Sequence, residues 1–564
     1  MLASEIVLVA IGIYVSMYFL YGKALEKKVV KADPSRPTPA HKHYDGVDYV
    51  PTHPAVLYGH HFASIAGAGP IVGPAVAMAW GWLPGLLWVW FGNVFIGAVH
   101  DYLALMSSVR SDGKSIQWLA GELMSKRTGY TFEVYIFFAL ILVLAAFMSV
   151  IAGIFSKIPA VATASILFIG VAVITGVLMY RLKMNFYLST AIGLTLLVLA
   201  VVAGFRYPVK ASYETWIFVL FVYSVVASAL PVWVLLQPRD YLNAYILWAG
   251  LLLGGAAFVL IGKSLTAPAF TTFSARVIGG KPSPFWPTIP LIIACGSLSG
   301  FHSIVGSGTT SKQLDNELHG LLIGYGGMFT EGFLSTIVIV SIAVYGLAVF
   351  KSMGLNVNTL NWGNIYAVTV AKKVGKVGIF TKSYAYGLKD AFGIPVGIGN
   401  AFAGLWVAAF ALTTLDTATR LARFTLQEIF DPLKAGSIFG NRWVASLIPA
   451  AVGAWMALGK SWLIIWPAFS GMNQLLASIA LMTAALWVIR VAKPGGAWNL
   501  AVLIPALFLW VTVTVAIIWF IAVVRPGIDV SAILFISLLL NFMLFSDFVA
   551  AYRRGENEYS EVPS

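Results

Sequence analysis

Several titratable side chains occur in or beside long apolar segments, where a charge is costly and is usually retained for a task. Glu331 lies near the middle of one such segment. A carboxylate there costs about 2.5–3.5 kcal/mol on insertion scales, so we expect it to face the bundle interior and exchange a proton, or to stay protonated against a backbone group. Imidazole titrates near neutral pH and can relay protons. The other candidates for a proton or cation path are His60, His61, His100, Asp101, His302, Thr309 and Thr310.

The same histidines and Asp101 could instead ligate zinc or iron. No His-Glu-x-x-His spacing occurs in the chain, so no metal site is predicted. The single cysteine, Cys295, excludes an internal disulfide and any Cys-rich metal or iron–sulfur site. Its nearest histidine within an apolar segment is His302, which gives little support to a thiol enzyme. We therefore expect no catalytic residues and no cofactor beyond a coupling ion, with protons favoured and sodium as the alternative.

The segment 58–74 contains four glycines and two prolines within an apolar region. Irregular backbone persists inside a membrane only where it is buried in protein or lines a cavity. The ends of half-helices in such segments present free N–H and C=O groups to substrates and ions. Close helix packing through small residues four apart is the alternative explanation. The substrate-binding residues predicted here are Ser64, Gly67, Gly69 and Pro70.

Two further segments combine helix breakers with hydroxyl side chains. Residues 224–241 contain Ser228 and Pro231, and we expect Pro231 to kink its span. The pair Arg239-Asp240 at the end of this segment is interpreted as an interfacial charge pair. Residues 296–311 are rich in serine and threonine, which could bind substrate or a cation, or cap their own helix. The predicted substrate residues in these two segments are Ser228, Pro231, Ser299, His302 and Ser303.

The elements that must position these residues are membrane-spanning helices. The chain has 564 residues, of which 59% are hydrophobic and 10% charged, against about 25% charged in an average soluble domain. Recurrent apolar runs predict an all-α polytopic membrane protein with about 15 transmembrane helices. The second broken segment lies five predicted spans after the first and runs in the opposite direction. This order indicates a 5+5 inverted-repeat core of the LeuT/APC type, with extra helices and with 296–311 in its eighth helix.

The basic residues account for a net charge of +13 and lie mainly in loops on one predicted side. This distribution follows the positive-inside rule and gives no support to a nucleic-acid partner. It predicts an external N-terminus and a cytoplasmic C-terminus; only the loop 351–390, with six lysines, disagrees.

The chain is divided provisionally into four parts. These are an anchor helix and cytoplasmic loop (1–54), an inverted-repeat transport core (55–413), a cytoplasmic helical linker (414–440), and additional helices with a solvated, disordered tail (441–564). The additional helices could form a homodimer interface or buttress the core.

Four motifs closely resemble the carbon starvation protein A (CstA) family, over nearly the full length. They are HHFASIAGAGPIVGP (60–74), LPVWVLLQPRDYL (230–242), GFHS (300–303) with GTTSK (308–312), and TTLDTATRL (413–421). The resemblance implies a bacterial or archaeal inner-membrane protein that takes up small nutrients during carbon limitation. Members of the family are linked to peptide uptake and to pyruvate uptake, so membership does not define the substrate.

The leading hypothesis is a proton-coupled importer of a small, pyruvate-like carboxylate. A half-helix N-terminus or a backbone nest could hold such a carboxylate. Few intramembrane carboxylates are present to hold a peptide amine, which favours the monocarboxylate. The alternatives are a peptide transporter, for which sodium coupling stays open, and, ranked lower, a nutrient sensor without transport.

Overall fold

The computed structural model describes residues 1–430, 436–459, 462–525 and 527–554. The acidic tail at 556–561 lies outside the described residues. Nearly all of the described chain is helical, because a helix satisfies its own backbone hydrogen bonds where no water is present. The first ten helices are α1 Ala3–Met17, α2 Pro39–Lys42, α3 Pro54–Ile65, α4 Gly69–Ala77, α5 Trp82–Gly92, α6 Ala98–Val109, α7 Ile116–Leu123, α8 Lys126–Lys157, α9 Pro159–Gly176 and α10 Phe186–Arg206.

The chain after α10 contains the one short β-hairpin in the described residues. Its strands β1 (Ser274–Arg276) and β2 (Pro282–Pro284) are antiparallel, with Ala275 opposite Ser283. The remaining helices are α11 Tyr213–Ala229, α12 Leu236–Leu260, α13 Phe285–Ile292, α14 Gly300–Gly308, α15 Gly327–Ser352, α16 Trp362–Thr369, α17 Lys376–Phe392, α18 Val396–Phe430, α19 Gly436–Phe439, α20 Arg442–Leu458, α21 Trp462–Trp487, α22 Gly496–Trp519 and α23 Ile528–Arg553.

Eleven helices of the described chain are long and apolar enough to cross a membrane, or up to twelve if α3 and α4 count as one bent span. By this measure the structure has fewer spans than the fifteen expected. The helices α11 and α20 have 17 residues each, and the pair α13–α14 is interrupted. Several α-helices also join through a wider helical turn, as α5 and α6 do through Asn93–Gly97.

Local sequence signals account for many helix starts. Pro54 and Pro70 occupy the first turns of α3 and α4, where the missing N–H has no helical partner to lose. The hydroxyl of Ser125 caps α8 by accepting from the N–H of Thr128 at 3.1 Å. Asn441 caps α20 in the same way.

The long helices α8 and α18 pack side by side within the bundle. Because α18 runs unbroken from Val396 to Phe430, residues 414–430 belong to this buried helix and not to a separate linker. Asp416 and Arg420 in it are fully buried. The helix α21 packs on α6, α8 and α14, so part of the chain after residue 441 also joins the core. The predicted division of the C-terminal third therefore differs from the structure.

Candidate functional site

Two broken helices lie side by side at the centre of the bundle. The first breaks between Ile65 and Gly69, where α3 and α4 meet at a bend of 45°, as the sequence predicts. The second is the pair α13–α14, interrupted at 293–299. The imidazole of His61 contacts Thr310 beyond α14, whereas Gly73 in α4 contacts the end of α13 at Ile292. The two broken helices therefore run antiparallel, with their interruptions adjacent.

The predicted partner of the first break was a different segment, 224–241. Its interruption, between Ala229 and Leu236, contacts the loop before α3 through Val232 N–H and Val47 C=O. Ser228 bonds to Ser446 in α20 at 2.9 Å. Ser228 and Pro231 therefore lie away from the first break. The interrupted helix next to the first break is therefore α13–α14, and not the segment 224–241 expected from the order of spans.

A cavity of about 340 Å³ lies between the central breaks and extends to the loop at Val277 and Ile278 beside the hairpin. Its walls are mostly apolar. Among the predicted substrate residues, Gly67, Gly69 and Ser299 line it, whereas Ser64, Pro70, His302 and Ser303 do not. Its lining includes Gly67, Gly69, Val72, Gly73, Phe147, Val277, Ile278, Ala294, Cys295, Ser299, Phe301, Lys376, Thr414, Asn473 and Phe520.

The glycines of the first break allow close backbone contact as well as an open wall. A Cβ atom on Gly67 would lie 2.7 Å from the ring of Phe147, and one on Gly69 would collide with Cys295. A Cβ atom on Gly73 would lie 2.6 Å from the carbonyl oxygen of Ile292. Cavity lining and close packing, posed as alternatives from the sequence, thus occur together at these positions.

The remaining predicted groups of the first break are already hydrogen-bonded within the protein. The Ser64 hydroxyl bonds to Thr417 Oγ1 at 2.9 Å, and the Pro70 carbonyl accepts from Ser335 at 2.9 Å. In the serine-rich segment, Ser303 donates to the carbonyl of Gly300 and Thr309 donates to that of Val305. Hydrogen bonds to the backbone of their own helix therefore account for these last two hydroxyls.

A buried row of acid and imidazole groups runs beside the cavity, formed by α6, α14 and α15. His100 Nδ1 lies 2.8 Å from one oxygen of Asp101, and His302 Nδ1 lies 2.9 Å from the other. The second ring nitrogen of His302, Nε2, lies 3.5 Å from Glu331 Oε2. The side chains of all four residues are fully buried. Four residues proposed separately from the sequence thus form one continuous row.

The other two predicted histidines lie in separate contacts. His60 Nδ1 is 2.6 Å from Asp240 Oδ2, and His61 Nδ1 is 2.9 Å from Thr310 Oγ1. Asp240 is also paired with Arg239, which reaches across to Asp416 in α18. Arg239 and Asp240 are therefore buried between helices and do not form the interfacial pair expected from the sequence.

One end of the bundle is closed by an ion cluster on the loop before α3. Asp48 accepts hydrogen bonds from Arg423 at 3.0 Å and from Arg420 at 2.5 Å. Burial acts to raise the pKa of Asp48, but the two guanidinium groups outweigh it and hold the pKa below its ordinary value. Asp416 and Arg420 lie one helical turn apart in α18 but do not pair with each other, because each residue has another partner.

Three residues near the cavity were not singled out by the sequence as part of a binding site. Asn473 in α21 accepts from the N–H of Phe301 at 3.0 Å and bonds to the Ser299 hydroxyl. Lys376 and Cys295 line the cavity. An amide within an apolar run marks Asn473 in retrospect, but a lysine in a polar loop and a lone cysteine carry no such signal.

Comparison with known proteins agrees with the resemblance of the four motifs. The family model described as carbon starvation protein CstA matches residues 2–516. The peptide transporter CstA of Escherichia coli is 34% identical, over 87% of this chain and 78% of its own length. The peptide transporter CstA of Bacillus subtilis is 33% identical, over 92% and 90%.

A relative named for a different function matches almost as well. The pyruvate/proton symporter BtsT of Escherichia coli is 31% identical, over 91% of this chain and 81% of its own length. The order of the four motifs, the apolar helices and these matches lead to one conclusion: the chain is a multi-pass membrane protein and belongs to the CstA family.

Proposed function

We propose that this protein is a secondary active transporter that imports a small, pyruvate-like carboxylate with protons. The observation that carries the proposal is the adjacency of the cavity at the two broken helices and the buried row from His100 to Glu331. In this proposal the cavity binds the substrate, and the titratable groups beside it can take up protons from the same side of the membrane. The names of the relatives support transport as the general activity.

The lining of the cavity favours a monocarboxylate over a peptide. Lys376 is the charged residue in the lining, and no Asp or Glu of the described chain belongs to it. A carboxylate can pair with the ammonium of Lys376, whereas the free amine of a peptide would find no acidic partner. The volume of about 340 Å³ exceeds what pyruvate needs. Peptide uptake is the second candidate, because several relatives bear that name.

Protons are the proposed coupling ion. The carboxylate of Glu331 is fully buried and its nearest basic group is the His302 imidazole at 3.5 Å. Protonation of Glu331 would remove an unpaired buried charge, so a proton is a fitting partner for it. Sodium is less well supported, because Ser303 and Thr309 direct their hydroxyl hydrogens to their own helix.

The packing supports an inverted-repeat core with boundaries different from those expected. Repeat one would begin at the broken helix α3–α4 and repeat two at α13–α14. The helix α4 packs on α15 as α14 packs on α6, and α3 packs on α12 as α13 packs on α21. The helix α8 packs on α20 as α18 packs on α11. This redrawn core covers residues 54–492, with α9 and α10 as an insertion and α22 and α23 as additional helices.

The proposed placement is a bacterial or archaeal cytoplasmic membrane with the N-terminus outside. In this orientation the Asp48 cluster faces the cytoplasm and the cavity approaches the outer side. A homodimer through the additional C-terminal helices is a separate proposal, which crosslinking of the protein in membranes would test.

The deciding experiment is uptake of labelled pyruvate into proteoliposomes with an imposed pH gradient, a sodium gradient or neither. We expect accumulation with the pH gradient only, without competition by di- and tripeptides. Accumulation of labelled peptide without pyruvate uptake would replace the substrate. Binding of pyruvate without accumulation under any gradient would favour a sensor.

A further inference from the structure

Three side chains of types that bind transition metals converge between the cavity and the buried row. Cys295 lies in the interruption of α13–α14, His302 in α14 and Glu331 in α15. One ligand atom from each, the sulfur, a ring nitrogen and a carboxylate oxygen, lies within 4.8 Å of the other two. We propose that these three residues form a binding site for one divalent cation of the zinc type.

The contacts of His302 match those of a metal ligand. Its Nδ1 is occupied by Asp101 at 2.9 Å, which orients Nε2 toward Glu331. Histidines that bind metals usually place the other ring nitrogen on a carboxylate or carbonyl, which sets the tautomer and the ring orientation. Asp101 is itself held by His100 at 2.8 Å. The Asp101 carboxylate therefore orients the His302 ring, whose Nε2 is the proposed ligand atom.

The oxygen and nitrogen ligand atoms of this cluster are left without hydrogen-bond partners among the described residues. Neither carboxylate oxygen of Glu331 nor Nε2 of His302 makes a hydrogen bond of normal geometry in the described part of the chain. Both side chains are fully buried. Buried polar atoms are nearly always satisfied, so orphans that point to one another indicate an absent partner. A cation bound between Glu331 and His302 would give a partner to both carboxylate oxygens and to Nε2.

The donor set selects the class of cation. Thiolate and imidazole favour zinc and its neighbours in the transition series over magnesium or calcium, which prefer oxygen. Zinc bonds of about 2.0–2.3 Å require a modest contraction of the cluster, which rotation of the Cys295 side chain can supply. Cys295 is only half-buried and lines the cavity. The fourth coordination position would therefore face the cavity and take water or a carboxylate.

Metal binding and proton loading are alternative ways to neutralise Glu331. The metal proposal does not rest on the proposed transport function, because it can be tested on the purified protein without a gradient. A chain that binds the metal but does not transport pyruvate would keep this proposal and remove the other. Pyruvate uptake without metal binding would do the reverse.

The test uses the full-length protein in detergent, loaded with Zn²⁺ or Co²⁺ and freed of excess ion on a chelating resin. We expect one ion per chain by elemental analysis, and a near-ultraviolet cobalt–thiolate absorption band. Because Cys295 is the single cysteine of the chain, that band reports this residue alone. Zn²⁺ should also slow alkylation of Cys295 in the unmodified protein, a measurement that needs no variant.

The variants separate ligand from fold. We expect C295S and E331Q to lose stoichiometric metal, and D101N to weaken binding by about 10–100-fold without removing a ligand. The matched control is H319Q, a histidine outside the cluster, which should retain one ion and the band. Metal retained equally by C295S, or alkylation indifferent to Zn²⁺, would overturn the proposal. So would a wild-type protein that holds no ion after loading.

Discussion

Two buried polar clusters flank the broken helices, and they differ in how far their charges are satisfied. The paired cluster consists of His60, Tyr223, Arg239, Asp240 and Asp416. The open cluster consists of His100, Asp101, His302 and Glu331. In the paired cluster each ionic group has a charged or hydroxyl partner within hydrogen-bond distance. In the open cluster Glu331 has none.

The difference separates a structural role from a functional one. Charges that are fully paired hold helices together, because removing either partner leaves the other uncompensated in a medium of low dielectric. A buried charge without a partner destabilises the fold, and a proton or a cation that neutralises it removes that cost. Glu331 and Asp416 are equally buried, so burial alone does not distinguish the two roles.

The largest expected effect comes from breaking the paired cluster. D416N leaves the Arg239 guanidinium with Asp240 and the Tyr223 hydroxyl as its remaining partners in the cluster, and we expect the free energy of unfolding to fall by about 3 kcal/mol. Denaturant unfolding of the purified protein in detergent measures this loss. The double variant R239Q/D416N should lose more than D416N alone, because the buried Asp240 carboxylate then also loses its guanidinium partner. Equal stability of D416N and wild type would remove the structural role.

A substitution in the open cluster should separate stability from activity. E331Q removes a charge that has no hydrogen-bond partner, so we expect the free energy of unfolding to be unchanged or slightly raised. Accumulation driven by a pH gradient should be lost, while exchange of labelled for unlabelled pyruvate continues. Proteoliposome uptake and exchange measure the two separately. Driven accumulation at the wild-type level would exclude Glu331 from coupling.

A smaller effect is expected at the mouth of the cavity. K376Q removes the ammonium that would attract a substrate carboxylate, and the apparent KM for pyruvate should rise about fivefold, or about 1 kcal/mol. The matched control is K389Q, an exposed lysine on the same helix outside the lining. Initial rates over a range of pyruvate concentrations decide between them. Equal KM values for the two variants would place substrate recognition elsewhere.

The smallest effect concerns the dependence of stability on pH. The pKa of Asp48 is lowered in the folded protein by Arg420 and Arg423, which outweigh the opposing effect of burial. A depressed carboxyl pKa stabilises the fold above the unfolded value of about 3.9, and this contribution is lost as pH falls through the folded value. We expect the free energy of unfolding of D48N to be lower than that of the wild type by about 1 kcal/mol at neutral pH. They should converge in acid; a constant difference would contradict the assignment.

The sequence predicted the membrane class, the first break and the residues of the open cluster. Helical apolar runs and breakers within them are local signals, and a rare intramembrane carboxylate such as Glu331 is visible without a structure. The four residues of the row were among the candidates, since each is unusual at membrane depth, but the sequence did not predict that they form a row. The sequence could not predict that Asp101 lies between His100 and His302, because that depends on how α6 and α14 pack.

The errors have a common physical origin. Arg239 and Asp240 were placed at an interface, and Asp416 in a cytoplasmic linker, because charges near the ends of apolar runs usually lie in water. Their mutual neutralisation across helices α12 and α18 makes burial tolerable, and no pattern within one segment reveals it. Ser228 and Pro231 were assigned to the site from the helix breaker in their segment, and whether that segment meets the first break depends on how the helices pack.

The contact of Asn473 with Ser299 and Phe301 has a mechanical consequence. It fastens the start of α14 to α21, whose continuation carries Arg490, bonded to the carbonyl of Leu123 at the end of α7 at 3.1 Å. A tilt of α14 would therefore move α21, and through Arg490 it would also move the end of α7, several helical turns away. A change of shape at the cavity and one at the far end of the bundle would then be a single movement.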